Sequence, residues 1–117
     1  MRTVVETPGY LKAAESIFSQ AERDRIVAML AANPDCGEVI QGTGGFRKVR
    51  VARGGMGKRG GARLIYILRG DAFPIFLITV YAKNEKENLT MRERNLLAKH
   101  ADEIFEKYRR ASDGNHV

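Results

Sequence analysis

Apolar positions in the first third of the chain follow helical spacing, at intervals of three and four residues. They form two stripes, Tyr10, Leu11, Ala14, Ile17 and Phe18, and then Ile26, Val27 and Leu30. Thr7-Pro8 has the pattern of an N-cap followed by a first-turn proline, and Ser19 with Glu22 has that of a capping box. Asn33-Pro34 ends the second stripe. With a short strand over residues 3–5, this part predicts a strand followed by a helical hairpin.

The middle of the chain changes to period two, which is typical of strands. In residues 46–53 the side chains of Val49 and Val51 alternate with those of Lys48 and Arg50. A strand over 38–40 and a glycine turn at 42–45 come before it, and a glycine-rich loop, 54–61, comes after it. Further strands are expected over 62–69 and 75–83. The last has Thr79, Tyr81 and Lys83 on one face and Phe76, Ile78 and Val80 on the other. Strands this close in sequence favour an antiparallel meander.

The last part returns to helical spacing. Thr90 with Glu93 forms a second capping-box pattern, and the apolar stripe consists of Leu97, Ala101, Ile104, Phe105 and Tyr108. The helix is expected to end near Arg110, before a polar tail at 111–117. The fold class is therefore α+β: a short N-terminal strand, a helical hairpin, an antiparallel sheet of about four strands and a C-terminal helix. The length of 117 residues fits a single domain, placed at residues 1–110.

Composition narrows the class of protein. The hydrophobic fraction of 44% is that of an ordinary soluble protein. The longest apolar run has about eight residues, whereas a membrane-spanning helix needs about 20. The first residues lack the apolar core of a secretory signal. Because Cys36 is the single cysteine, no internal disulfide is expected, and a reducing cytoplasm is the expected location.

The charges are unevenly distributed. The formal net charge is +6, yet the segment between Glu38 and Asp71 contains eight positive residues and no negative one. A local field of one sign costs folding free energy and marks a site for a polyanion, of which nucleic acid is the simplest. The eight residues are Arg47, Lys48, Arg50, Arg53, Lys58, Arg59, Arg63 and Arg69.

Three kinds of chemistry have little support. The glycine loop lacks the spacing of a phosphate-binding loop and precedes a strand, so it is either a hairpin connection or a mobile basic loop that wraps an RNA backbone. His100 and His116 are the only histidines, and they are not clustered with Cys36. No metal and no cofactor are therefore expected. What remains is one sheet face on which Lys48, Arg50, Arg63, Tyr81 and Lys83 could converge, as a binding surface or an active site.

The blocks GTGGFRKVRVARGGMGKRGGARLIYI and VYAKNEKENLT resemble the HigB-like branch of the RelE toxin superfamily, over about residues 42–108. The resemblance implies a toxin of a toxin–antitoxin module that cleaves messenger RNA in the ribosomal A site without a metal. It also implies a cognate antitoxin with a helix-turn-helix domain. Whether that antitoxin binds the basic sheet or the helical hairpin stays open.

The resemblance assigns roles by position. Lys48 and Arg50 match the paired basic residues of the second main strand, Arg63 matches the strand arginine, and Lys83 matches the basic residue that ends the last strand. Asn84 and Thr90 stand where some relatives have arginine and tyrosine. We expect Arg50 and Arg63 to stabilise charge on the phosphate. Tyr81 would stack on a base or orient the RNA. The general base and acid stay open among Lys48, Tyr81 and Lys83.

Other basic residues are expected to contact RNA, and two other functions are alternatives to RNA cleavage. The expected RNA contacts are Arg47, Arg53, Lys58, Arg59 and Lys86, with Arg69 as a further contact to RNA. A ParE-like relative of the same fold would poison DNA gyrase instead of cutting RNA. A regulator that binds RNA without catalysis is the third alternative.

Overall fold

The computed structural model describes residues 2–53, 57–82 and 90–114, without the side chains of residues 53, 57–60 and 112–114. These residues form five strands and three helices. The strands are β1 (Val4–Glu6), β2 (Glu38–Val39), β3 (Phe46–Arg53), β4 (Gly57–Ile67) and β5 (Ile75–Ala82), and the helices are α1 (Pro8–Glu15), α2 (Gln20–Ala32) and α3 (Met91–Gly114). The α+β fold class predicted from the sequence is confirmed.

The predicted helix starts are confirmed by their hydrogen bonds. The Thr7 side chain accepts from the backbone N–H of Tyr10 at the start of α1. Ser19 and Glu22 form a full capping box at α2, with each side chain accepting from the other residue's backbone N–H. Thr90 and Glu93 make the same reciprocal pair at α3. Each cap satisfies donors that the first helical turn leaves without partners.

The strands form one mixed sheet in the order β1-β5-β4-β3-β2. From β2 to β5 the pairing is antiparallel, as the close spacing predicted. The short N-terminal strand adds a parallel edge, because Val4, Val5 and Glu6 pair with Ile75, Phe76 and Leu77. Parallel pairing is possible here because the helical hairpin and the rest of the sheet separate the two strands along the chain.

Each face of the sheet carries its own hydrophobic core. The hairpin face packs against α1 and α2 through buried side chains such as Tyr10, Leu30, Leu64 and Tyr66. The opposite face, called here the α3 face, carries a second core, formed by Ile40, Phe46, Ile65, Ile67, Phe76, Ala101 and Phe105. Phe105 makes edge-to-face contacts with Phe73 and Phe76, at centroid distances of 4.6 and 5.6 Å. The second core therefore fixes helix α3 over one end of its face.

A β-bulge corrects the predicted faces of β5. The register passes from Tyr66↔Leu77 to Ile65↔Thr79, so Ile78 is an extra residue on β5. Phe76 and Ile78 lie on the α3 face as expected, but Val80 packs in the hairpin core. The prediction that Phe76, Ile78 and Val80 share a face is therefore wrong. One inserted residue exchanges the two faces for all later positions.

Two predicted boundaries also differ. Strand β4 begins at Gly57, so part of the expected loop at 54–61 is paired backbone. Helix α3 continues past Arg110 to Gly114, into the segment that the sequence assigned to the polar tail. In the described part of the chain, the length and apolarity that a membrane-crossing helix requires are found in no helix.

Candidate active site

Four of the five predicted catalytic residues share the α3 face. Arg50 lies directly opposite Arg63 on the neighbouring strand, and Arg63 lies directly opposite Tyr81. Lys48 belongs to the adjacent row, which continues through Ile65 to Thr79. Neighbouring strands are about 5 Å apart, so the three groups of the first row span roughly 10 Å.

The β-bulge at Ile78 places Tyr81 in this row. With regular pairing from Leu77 onward, Val80 would lie opposite Arg63, and Tyr81 would point into the hairpin core. The extra residue Ile78 shifts the register by one and places Tyr81 beside Arg63. Bulges commonly redirect a side chain next to a functional site in this way.

Arg50 lies among cations on this face, with Lys48 two positions away on its own strand and Arg63 directly opposite on β4. Like charges directly opposite each other on neighbouring strands destabilise a sheet. Within the described residues, neither the Lys48 ammonium nor the Arg50 guanidinium makes a hydrogen bond or an ion pair. A phosphate beside Lys48 and Arg50 would reduce the repulsion between these two cations and would accept the paired donors of the Arg50 guanidinium. The arrangement therefore favours a bound anion.

A groove runs along the outer side of β3 at this place. It has a volume of about 550 Å³ and is lined by residues 48–52 together with Glu38 and Arg63. Strand β2 pairs only with Arg47 and Lys48, so within the described chain no strand lies on the outer side of β3 beside Arg50, although β4 pairs with its inner side. The groove is therefore open along one side, as a site for a chain-like ligand requires.

Burial favours the neutral form of the Tyr81 phenol. Removal from water is the main cause that raises the pKa of the Tyr81 phenol above its ordinary value of 10.0, and the positive charge of Arg63 opposes the shift. The phenol is therefore protonated at neutral pH. Tyr81 can donate a hydrogen bond or a proton, and it is a poor general base.

Arg47 lies on the hairpin face, opposite Tyr66. Its guanidinium donates to the carbonyl oxygens of Asp35 at 3.3 Å and Gly37 at 2.7 Å. These bonds hold the turn between α2 and β2. The expected RNA-binding role of Arg47 stays a prediction, and its donors already have partners within the fold.

Arg69 is also engaged in the fold. It donates to the carbonyl oxygen of Gly44 at 2.8 Å, pairs with Asp102 at 3.3 Å and lies over the Phe105 ring at 4.4 Å from its centroid. The buried Thr43 hydroxyl also stabilises the glycine turn, since it donates to the carbonyl oxygen of Ile40 and accepts from the backbone N–H of Phe46. Arg69 therefore joins this turn to α3.

Several predicted residues are placed only in part. Arg53 ends β3 and Lys58 and Arg59 belong to β4, but their side chains lie outside the described residues. Lys83, Asn84 and Lys86 lie outside them entirely. Their expected roles stay predictions.

Cys36 and His100 are not part of this row. Cys36 is exposed in the turn before β2, with Sγ 3.9 Å from the Tyr66 hydroxyl. His100 faces Glu103 on the exposed side of α3. Among the residues that the structure describes, no three acidic, histidine or cysteine side chains are grouped as metal ligands would be.

Sequence reasoning missed two neighbours of the site. Glu38 is opposite Lys48 and lines the groove, and Thr79 ends the same row on β5. Alternation from the buried Ile40 back to Glu38 would have found the first residue. Alternation placed Thr79 on the face of Tyr81, but its position in the row of Lys48 and Ile65 depends on the register between strands, which alternation within one strand does not contain.

An α+β domain with cations in a row on one sheet face presents a surface that suits a polyanion. The chain matches the family described as the RelE toxin of the RelE/RelB toxin–antitoxin system over residues 28–112, and it belongs to that family. It is also similar to a solved structure, a doubly substituted variant of E. coli toxin RelE in the free state. The sequence identity is 15% and the TM-score 0.53, over 74% of this chain and 87% of that chain. At this identity the structural match shows the fold alone. The protein is thus a toxin of the toxin–antitoxin class, whose members pair with an antitoxin.

Proposed function

We propose that the protein is a HigB-like, ribosome-dependent endoribonuclease of the cytoplasm that cleaves messenger RNA in the A site. The observation that carries this proposal is the row of Arg50, Arg63 and Tyr81 across three neighbouring strands, with Lys48 beside it. Two guanidinium groups and a protonated phenol on one surface are suited to a phosphodiester whose charge increases during reaction.

The RNA supplies its own nucleophile, the 2′-hydroxyl next to the scissile phosphate. Its oxygen forms a bond to phosphorus, and the bond from phosphorus to the 5′-oxygen breaks. The products are a 2′,3′-cyclic phosphate and a 5′-hydroxyl end. Arg50 and Arg63 hold the non-bridging oxygens and stabilise their added charge.

Two protons move in this step. The proton of the 2′-hydroxyl goes to a general base, for which Lys48 and Lys83 are the candidates. The 5′-oxygen receives a proton as it leaves. The raised pKa of Tyr81 supports the second role or a hydrogen bond to the leaving oxygen, because the phenol holds its proton at neutral pH.

The partners in this proposal are messenger RNA on the ribosome and a helix-turn-helix antitoxin. Mapping the ends of cellular messages after induction of the toxin tests the function. We expect new ends inside reading frames, in register with codons, that carry 5′-hydroxyl and cyclic phosphate groups. Intact messages with DNA breaks at gyrase sites would favour the ParE-like alternative. Intact messages with RNA bound to the protein would favour the non-catalytic regulator.

A further inference from the structure

Among the described residues that line the groove, Glu38 is the single carboxylate. It pairs in register with Lys48, and Ile40, two residues on, is buried in the core of the α3 face. Glu38 therefore points to the same face as Lys48 and Arg50. Arg50 is its diagonal neighbour, and such positions are roughly 7–8 Å apart.

The carboxylate is exposed and available to a ligand. Within the described residues Glu38 makes no hydrogen bond or ion pair, although Lys48 lies directly opposite. Next to a phosphate site a carboxylate repels the phosphate, by about 1 kcal/mol at 4 Å even in bulk water. It therefore suits a part of the ligand that carries hydrogen-bond donors and no negative charge.

A nucleotide has such a part in its base. An ionised carboxylate only accepts hydrogen bonds, through two oxygens side by side. Guanine offers two adjacent donors, N1–H and N2–H, on its Watson–Crick edge, and the other three bases offer donors on only one atom of that edge. In single-stranded RNA this edge is open to a protein.

We propose that Glu38 is a specificity-determining residue that accepts hydrogen bonds from N1–H and N2–H of a guanine in the bound RNA. The phosphate of that nucleotide lies on Arg50 and Arg63, and the base extends along the groove towards β2. This proposal deepens the proposed function and rests on it for the identity of the ligand as RNA.

Binding of short 2′-O-methyl RNAs to the whole protein tests the proposal, because these probes lack the nucleophile and stay intact. The probes share one uridine-rich sequence with guanine, inosine or adenine at a single position. The wild type is expected to bind the guanine probe about tenfold more tightly than the adenine probe, since a bidentate base contact gives roughly that discrimination. Inosine lacks the N2 amino group, so its affinity is expected to lie between them.

Glu38→Gln gives the sharpest contrast. The glutamine amide both donates and accepts, a pattern that pairs with adenine, so the preference is expected to reverse towards the adenine probe. Glu38→Ala is expected to bind all three probes equally. Glu15→Gln is the matched control, since it makes the same charge change on the exposed side of α1, and it should keep the wild-type order.

Two results would overturn the proposal: a wild type without base preference, or a Glu38→Gln variant with the wild-type order. If Glu38 only protects the edge strand β2 from pairing with another sheet, Glu38→Gln increases self-association and leaves base preference unchanged.

The proposed function can be tested separately from the role of Glu38, because it depends on cleavage of ribosome-bound message. Cleavage with an unchanged base order refutes the role of Glu38 alone. A guanine preference without cleavage refutes the nuclease and retains the base contact.

Discussion

The two faces of the sheet use the same residue types for opposite purposes. On the hairpin face, the Arg47 guanidinium and the Tyr66 hydroxyl both bond to the turn between α2 and β2. On the α3 face, the Lys48 and Arg50 side chains have no partner among the described residues. Arg47 and Arg50 belong to one strand, but they are three residues apart, so their side chains lie on opposite faces of the sheet. The face of the sheet, more than the residue type, separates a structural cation from one available to a ligand.

The largest expected effect is a loss of activity, and it concerns the α3 face. Arg50→Ala should reduce cleavage of ribosome-bound message by roughly 10²- to 10³-fold, because it removes a donor that stabilises charge in the transition state. Its thermal unfolding should stay near that of the wild type, since the side chain is exposed and makes no bond within the described fold. Single-turnover kinetics and a melting curve measure the two quantities. Loss of stability with retained cleavage would reverse the assignment.

Tyr66→Phe tests whether the polar groups on the hairpin face contribute to stability. The buried Tyr66 hydroxyl donates to the Pro34 carbonyl at 2.7 Å and accepts from the Gly37 N–H at 2.8 Å. Removing it leaves both groups without this partner and should cost about 1–3 kcal/mol of unfolding free energy. Denaturant titration measures the change. An unchanged midpoint would show that the turn does not depend on this hydroxyl.

The same tyrosine gives a pH dependence. Burial raises the pKa of Tyr66 from 10.0 to about 12, and that of Tyr10 likewise to about 12. Since the folded pKa lies above the unfolded value, the contribution of these phenols to stability is complete below about pH 10. It should be lost as the pH rises towards 12. Denaturant titrations across this range should show a smaller loss in Tyr66→Phe than in the wild type. Equal losses would mean that Tyr66 does not contribute.

Arg47→Ala should have a smaller effect on stability, about 1–2 kcal/mol, because one of its two hydrogen bonds, that to Asp35, is exposed to solvent. Cleavage by the folded variant should stay close to that of the wild type. Arg50→Ala, on the same strand, is its matched control. A strong loss of cleavage in well-folded Arg47→Ala would place Arg47 among the RNA contacts and weaken the division between the faces.

Tyr81→Phe has the smallest expected effect. The ring remains for stacking and one hydrogen bond is lost, so cleavage should fall by about tenfold or less. If the phenol is a donor, the wild-type rate should show no loss from Tyr81 ionisation below pH 10, because its pKa is raised. A pH–rate profile measures this. A loss of rate near neutral pH that disappears in Tyr81→Phe would contradict the donor role.

Much of this division could be predicted from the sequence. The alternation in 46–53 separated Lys48 and Arg50 from Val49 and Val51, and the structure has the two valines against the hairpin core. The capping boxes predicted where α2 and α3 begin, because they depend on residues three apart in sequence. Local patterns were sufficient wherever the structure depends on local hydrogen bonds.

The register across strands could not be predicted in this way. Tyr81 reaches Arg63 only because Ile78 is an extra residue, and nothing in the alternation of β5 marks that bulge. The hydrogen bonds of Arg47 and Arg69 to backbone carbonyl groups also could not be predicted, because every residue has a backbone carbonyl group. The eight-cation segment therefore predicted a polyanion site but did not separate the structural arginines from the others.

Single-turnover cleavage of ribosome-bound message by the wild type and Arg63→Ala is the most direct measurement of the central claim. Arg63 lies between Arg50 and Tyr81, at the middle of the row. We predict that the wild type cuts within the A-site codon and that Arg63→Ala, with an unchanged melting temperature, is slower by at least roughly 10²-fold. Equal rates for the two proteins, with both folded, would contradict the assignment of the active site to this row.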